Sequence, residues 1–398
     1  MSKRVLIATG VFPPEPVTSA SMDYDLALSL FNGGCDVTVI RQKPSRPAGK
    51  CYEGDNMVFP FKCISLSSFV CPESKLIGRL RESWSHGKAC ARYILKHRDE
   101  IDAVYNDSWA LFGYYFISRA CVRARIPYIP PIQDIYPESL FTGRALPKCL
   151  ERFVTFLLLP FDRYTQRNAC KIRTISDEMA DYLSETRAVP RDRYLVLDNW
   201  QNDEDFTYSP IRAEKKNGIV FGYVGSVNSH SNTELIIKAF AKAGIKNAEL
   251  HIYGGGNHRD SCMKLVDRLN VKNVIFDMVE KKQVPAVQSG SDVLVLALPS
   301  GNGGLCLPSK MTSYMLSGRA VLAGVDADCV TARYIHEADS GIVVSPDDVD
   351  SMAEGFRRFS MMTLDELNRL GCNSRSFAER KLTKSSNLPR IVDALLTI

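Results

Sequence analysis

An α/β architecture made of two doubly wound halves is the fold class this sequence predicts, and three observations predict it. Short apolar runs without alternation, such as Val293 to Leu298, recur between stretches of helical period, as parallel strands covered on both faces require. A length of 398 residues exceeds one ordinary core and suits two domains. The strand-helix alternation restarts after a polar stretch containing Asp203, Glu204, Asp205, Lys215, Lys216 and Asn217. Residues 1–200 are therefore expected to form one Rossmann-like domain, 201–217 a linker and 218–398 a second such domain, whose last helix packs back on the first. A ligand cleft is expected between them, at the carboxyl ends of the strands.

The first domain opens with a strand at Val5 to Ala8, a loop, a helix from Met22 to Asn32 stopped by Gly33-Gly34, and a strand at Asp36 to Ile40. Tyr24, Ala27, Leu28 and Phe31 fall at i, i+3, i+4 and i+7, which predicts a core-facing stripe. A turn-rich segment, a basic helix over Lys75 to His97, a strand at Ala103 to Tyr105, a helix over Leu111 to Arg125 and a strand at Tyr128 to Ile132 follow. Pro147 to Ala169 sets Phe153, Phe156, Leu157 and Phe161 among arginines, and two readings stand: a helix lying in a membrane interface, or one packed against the sheet. A strand at Ile172 to Ile175, a helix from Asp177 and the segment Leu195 to Trp200 complete the domain.

The second domain reads as strand Ile219 to Val224, helix Thr233 to Ala243, strand Glu249 to Tyr253, Gly254-Gly255-Gly256, helix Arg259 to Leu269, strand Val274 to Phe276 and helix Gln283 to Gly290. After the strand at Val293, Pro299 ends the run, Gly301, Gly303 and Gly304 allow a sharp bend and close approach, and Pro308-Ser309 starts a helix. Backbone N–H groups at such a start face an anion. Lys310 in that first turn opposes the helix dipole unless a phosphate occupies the site. A strand at Gly341 to Val344 and helices around Val349 to Phe359, Thr363 to Leu370 and Pro389 to Leu396 end the chain.

Composition narrows the function. The net charge of +5 lies wholly in residues 1–200, too mild for nucleic acid and compatible with an anionic acceptor or membrane surface. The 12 cysteines are scattered singly, with no CxxC or zinc spacing, and reduced thiols in the cytoplasm are expected. No apolar run approaches the ~20 residues of a spanning helix.

Five segments stand in order: Phe12-Pro13-Pro14-Glu15, Asp134-Ile135-Tyr136-Pro137-Glu138-Ser139, Asn199-Trp200, Tyr223-Val224-Gly225-Ser226, and Pro308-Ser309-Lys310 with Tyr314-Met315 and Gly318-Arg319. Together they resemble the retaining glycosyltransferases of family 4, the branch building O-antigen, capsule and colanic-acid polysaccharides. The first is similar to that family's aromatic-Pro-Pro-Glu loop and the second to its Asp-Leu-Trp-Pro-Glu-Ser stretch.

The resemblance implies the two-domain GT-B fold and transfer of a sugar, with retention, from a UDP- or GDP-linked donor to a lipid-linked or oligosaccharide acceptor. It implies neither metal nor other cofactor. The donor would lie on the second domain, at Gly225, Ser226, Arg259, Val279, Gly303, Gly304, Ser309 and Lys310. Asp134 is the expected acceptor base, with a turn-capping role as its structural rival, and Glu138 is the second candidate. Glu15, Thr18, Asp107 and Trp109 are the expected acceptor wall, Glu15 with the alternative of holding loop N–H groups. A lipid-linked acceptor would place the protein at the inner face of the plasma membrane.

Two departures from the family pattern stand out. Its two glutamates fall here on Leu305 and Ser313, and its arginine after the glycine falls on Ser226, so that Lys310, with Arg259 or Arg319, must supply the positive charge. Two alternatives follow: a catalytically silent GT-B partner protein, or a nucleotide-sugar 2-epimerase. A nicotinamide dehydrogenase is disfavoured because Gly10-Val11-Phe12-Pro13-Pro14 lacks the GxGxxG turn.

Overall fold

The computed structural model describes residues 2–46, 52, 57–73, 75–109, 111–141, 147–211, 218–228, 231–301 and 308–398. The chain forms two compact units, Met1–Leu197 with Asn387–Ile398, and Asp198–Ser386.

In the first unit the order is β1 (Arg4–Thr9), α1 (Thr18–Asn32), β2 (Asp36–Gln42), β3 (Lys62–Leu66), α2 (Leu76–Lys96), β4 (Ala103–Asp107), α3 (Phe112–Ala124), β5 (Tyr128–Ile129), α4 (Lys148–Asn168), β6 (Ile172–Thr174), α5 (Asp177–Arg187) and β7 (Tyr194–Val196). Five strands form a parallel sheet in the order β3-β2-β1-β4-β5, and β6 pairs with β7. Strand β1 is central, with Val5, Leu6, Ile7 and Ala8 all buried. The register sets Thr9 beside Arg41 and Asp107, so three polar side chains meet at the carboxyl end of the sheet.

The face that α1 buries is one residue out of phase with the predicted stripe. Met22, Leu26, Ala27 and Leu30 point inward, whereas Phe31 is exposed. Tyr24 and Phe31 instead join Phe12, Phe59 and Phe61 in an aromatic cluster, Phe59 stacking on Phe61 at 5.6 Å. Ring pairing outside the helix, invisible to a periodicity argument, captures these two side chains. Helix α5 begins where Ser176 accepts from the Met179 N–H at 3.1 Å.

Helix α4 carries its polarity inside out. Its buried residues are Asp162, Thr165 and Gln166, while Leu150, Phe153, Phe156 and Leu157 are exposed. Its second half packs on the unit through Phe161 against Phe112 and Tyr115.

The second unit runs β8 (Ile219–Val224), α6 (Thr233–Ala243), β9 (Ala248–Tyr253), α7 (Arg259–Leu269), β10 (Val274–Asp277), α8 (Val284–Gly290), β11 (Val293–Ala297), α9 (Ser309–Leu316), β12 (Ala320–Gly324), α10 (Val330–Ala338), β13 (Gly341–Val344), α11 (Val349–Ser360) and α12 (Leu364–Lys381). Its six parallel strands lie in the order β10-β9-β8-β11-β12-β13, the doubly wound arrangement that places ligands beyond the carboxyl ends of its strands. Apolar cores fill both faces, around Phe221, Ile252 and Val295 on one and Leu294, Leu296 and Tyr314 on the other.

Residues 201–211, expected as linker, pack into this unit: Phe206 and Ile211 are buried, and Asn368 holds both the N–H and the carbonyl of Ile211. Lys215, Lys216 and Asn217 lie outside the described residues. The last helix, α13 (Lys384–Thr397), belongs from Asn387 onward to the first unit, and Lys3 Nζ donates to the carbonyls of Leu396 and Ile398.

Candidate functional site

In the second unit the loops after β8 and β9 interlock backbone to backbone. Gly225 N–H donates to Tyr253 O at 2.9 Å, and Val227 N–H to Gly255 O at 2.9 Å. A Cβ on Gly254 would meet Gly225 O at 2.2 Å, and Gly254 has φ +144°, so only glycine fits. Gly225 has φ +150°, and a Cβ there would meet Lys310 Cε at 2.2 Å. Ser226 is exposed, and its carbonyl accepts from Tyr223 Oη at 2.6 Å.

Lys310 lies across Gly225 from the first turn of α9. Its Nζ donates to Tyr223 Oη at 2.5 Å and lies 4.7 Å from the centre of that ring. Among the described residues no carboxylate pairs with it. Ser309, the first residue of α9, is exposed. The result is an uncompensated ammonium beside a tight glycine backbone at the carboxyl end of the sheet, a cradle for an anion.

Arg259 opens α7 and lies half-buried, its guanidinium 5.7 Å from the Phe276 ring. Val279 follows β10, half-buried. Arg319, considered as a further cation, cannot serve. It is buried, donates to the carbonyls of Ser291 and Ser209 at 2.8 Å each, and burial lowers its pKa.

Ser313 points into the unit, accepting from Gln288 Nε2 at 3.0 Å and donating to Lys310 O at 2.9 Å. Gly303, Gly304 and Leu305 lie outside the described residues. The backbone just before them is held by two acids the sequence did not single out. Asp347 accepts from Ser300 N–H at 2.9 Å, and Asp326 from Gly301 N–H at 2.8 Å.

In the first unit the candidate side chains sort into free and engaged. Asp134 is exposed and within electrostatic reach of Tyr114, Tyr136 and Arg79; desolvation raises its pKa, and the Arg79 charge opposes the rise. Glu138 is engaged. Arg187, itself fully buried, donates to both its oxygens at 2.7 Å, and Tyr182 adds a third bond at 3.1 Å. Partial burial pushes the Glu138 pKa up, but the Arg187 hydrogen bonds and charge overcome that and hold it low. Asp162 takes the remaining Arg187 Nε at 2.6 Å. Glu138, expected as a second catalytic carboxylate, is therefore an anchor for the loop after β5.

Glu15 is likewise engaged. Buried, it accepts from the N–H groups of Phe12 at 3.4 Å and of Ser45 and Arg46 at 2.9 Å each. Thr18, the first residue of α1, is exposed. Trp109 lies on the backbone of Gly10, where a Cβ would meet the indole at 2.7 Å, and the guanidinium carbons of Arg46 and Arg79 are 4.3 and 5.2 Å from its ring centre.

Asp107, at the end of β4, forms a coupled pair with buried Asp23. Burial raises both pKa values, that of Asp107 to about 6 and that of Asp23 well above the usual carboxylate range. Tyr114 Oη donates to Asp107 at 3.4 Å. Below them, His86 Nε2 donates to Thr9 O at 3.0 Å, and burial lowers its pKa to about 4.

Sequence reasoning gave no role to Asp23, Arg79, Asp326 or Asp347, and named Tyr223 only within its motif. Asp23 was hidden by the misphased stripe, since it lies on the face α1 actually buries. Among the described residues, no group of three His, Cys, Asp or Glu could hold a metal ion.

A glycosyl transferase 4-like domain model matches residues 24–200, and a model of the glycosyl transferases group 1 matches residues 205–377. No curated protein matches the chain. Among solved structures, the sucrose-phosphate synthase of Thermosynechococcus elongatus is similar over 100% of this chain and 99% of that one, at 15% identity and a TM-score of 0.71. HepE of Anabaena, in complex with UDP and glucose, is similar over 100% of both chains at 12% identity and a TM-score of 0.69. WaaG, a glycosyltransferase involved in lipopolysaccharide biosynthesis, is similar over 98% of this chain and 99% of that one, at 17% identity and a TM-score of 0.68. At such identities the structural likeness shows the fold alone, and the two domain models supply the family. Two Rossmann-like units, each matched by its own domain model, show that this chain belongs to the glycosyltransferases of the GT-B, family 4-like type.

Proposed function

We propose that this chain transfers a sugar from a nucleotide-diphosphate sugar to a lipid-linked glycan, with retention at the anomeric carbon, as a step in building a cell-surface polysaccharide. The observation that carries the reading is Lys310, an ammonium with no carboxylate partner among the described residues, held by Tyr223 over Gly225. The bond from the anomeric carbon to the diphosphate breaks, the diphosphate leaves with the electron pair, and Lys310 with nearby N–H groups stabilises the growing charge. The acceptor hydroxyl forms the new bond on the same face and loses its proton to Asp134, whose raised pKa suits a base. No resident metal is needed in this scheme, since Lys310 supplies the charge. HepE's complex with UDP and glucose and WaaG's part in lipopolysaccharide biosynthesis support the substrate classes.

The test is a thermal-shift screen with UDP, GDP and CMP, followed by release of the matching nucleoside diphosphate from its sugars with lipid-linked oligosaccharides. One diphosphate should stabilise the protein, and Lys310→Ala should abolish that shift. No shift with any nucleotide would overturn the reading.

A further inference from the structure

The inside-out helix of the first unit has no explanation in sugar transfer. A helix on a globular unit ordinarily buries its apolar stripe. In α4, Phe156 is 76% exposed and Phe153 59% exposed, with Leu150 and Leu157 beside them, while Asp162 and Gln166 are buried. The polar burial is specific: Asp162 pairs with Arg187 at 2.6 Å, and Gln166 donates to Asp162 at 2.8 Å and accepts from Tyr194 at 2.9 Å. These bonds fix the rotation of the helix about its axis, so the aromatic face cannot turn inward without breaking a buried ion pair.

The charge around this face is mostly positive, with half-buried Glu151 its one acid outside the buried ion pairs. Exposed Lys148 and Arg152 flank the aromatic stripe on α4 itself. Helix α3, packed against α4, carries Arg119 and Arg123 and no acid, and α2 beyond it carries Lys88 over the rings of Trp84 and Phe116. The acids of these three helices are Glu82, Glu151 and Asp162, and of these Glu82 and Asp162 are buried in ion pairs with Arg46 and Arg187. Two copies of such a face would repel each other, whereas an anionic surface attracts it. Aromatic side chains flanked by cations are what an interfacial helix presents to lipid headgroups.

We propose that the exposed face of α4, with the basic flank of α3 and α2, docks the first unit on an anionic phospholipid bilayer, Phe153 and Phe156 entering the headgroup layer. The inference deepens the proposed reaction and rests on it for one point, that a lipid-linked acceptor is met at a membrane.

Flotation of the whole protein with vesicles tests it, using phosphatidylcholine mixed with phosphatidylglycerol against phosphatidylcholine alone, without acceptor or nucleotide. Partition into the anionic vesicles is expected, weakening as salt rises. The double variant Phe153→Ser/Phe156→Ser should lose about tenfold or more of it, and Arg152→Glu should lose binding to the anionic vesicles only. Because both phenylalanines are exposed, the double variant should keep the parent's melting temperature and nucleotide-induced shift, which separates failed docking from a failed donor site. Equal partition of parent and double variant overturns the inference. So does self-association in light scattering that Phe156→Ser dissolves without any vesicle binding.

Discussion

The two units solve opposite problems at the carboxyl ends of their sheets. The second presents backbone and a cation: Gly225 and Gly254 close enough to exclude any side chain, and Lys310 held by one tyrosine. The first presents carboxylates, most already committed to neighbouring N–H groups or guanidinium, with Asp134 left exposed. A site for an anion can be assembled from rigid main chain, because N–H groups need no side-chain entropy to stay in place. In the reaction proposed above, the group that accepts a proton needs tuned acidity, and neighbouring acids tied down by N–H groups or guanidinium do not compete with it.

The largest expected effect falls on the cationic side. Lys310→Ala should lower kcat/KM for sugar transfer by about 10²–10³-fold, measured as nucleoside diphosphate release. Gly225→Ala should do the same by displacing the lysine stem. Normal turnover in either variant would break the contrast between the units. Next, Asp134→Asn should lower kcat by about 10²-fold or more and leave nucleotide binding intact in thermal shift. In the parent, turnover should fall toward acid with an inflection above the usual carboxylate range, because that pKa is raised.

Glu138→Gln should behave differently, weakening folding by about 3 kcal/mol through a buried Arg187 left under-compensated, as urea unfolding would show, while nucleotide binding persists. Loss of turnover with unchanged stability would return Glu138 to the chemistry.

The stability of the first unit should also depend on pH, gradually rather than through one lost contact. His86 is neutral when folded, its pKa lowered from 6.5 to about 4, so the unfolded chain takes up its proton first. Stability should therefore decline as pH falls from 6.5 toward 4, by about 3 kcal/mol in all. The Asp23–Asp107 pair acts on the other limb. Its raised pKa values mean the unfolded chain loses protons first, so stability declines as pH rises from 3.8 through about 6 and beyond. Asp23→Asn should raise the melting temperature at pH 8 and leave it unchanged at pH 4.

Strands β1, β8 and β11 were legible as largely apolar runs, whereas β3, which carries Lys62 and Ser65, was not foreseen; α7 was bounded correctly at Arg259–Leu269. Helix α10 was not foreseen. It is short, and it is capped by Cys329, whose sulfur accepts from Ala332 N–H at 3.4 Å, a cap that composition does not advertise. The stripe on α1 was misphased because Tyr24 and Phe31 pair with rings from distant segments. Lys310 and Gly225 were legible as an unusual cation and a strand-end glycine. The engagement of Glu138 was not, since it depends on a guanidinium 49 residues away, whereas Glu15 holding loop N–H groups was one of the two readings the sequence offered.

The division of the chain also sets an order of assembly. The second unit is contiguous, while the first needs Asn387–Ile398 to complete it, including Ile391 and Leu395, which are buried. A ribosome adding about 5–20 residues per second finishes the whole second unit before it supplies those residues. The half that is begun first is thus the last to receive all of its buried residues.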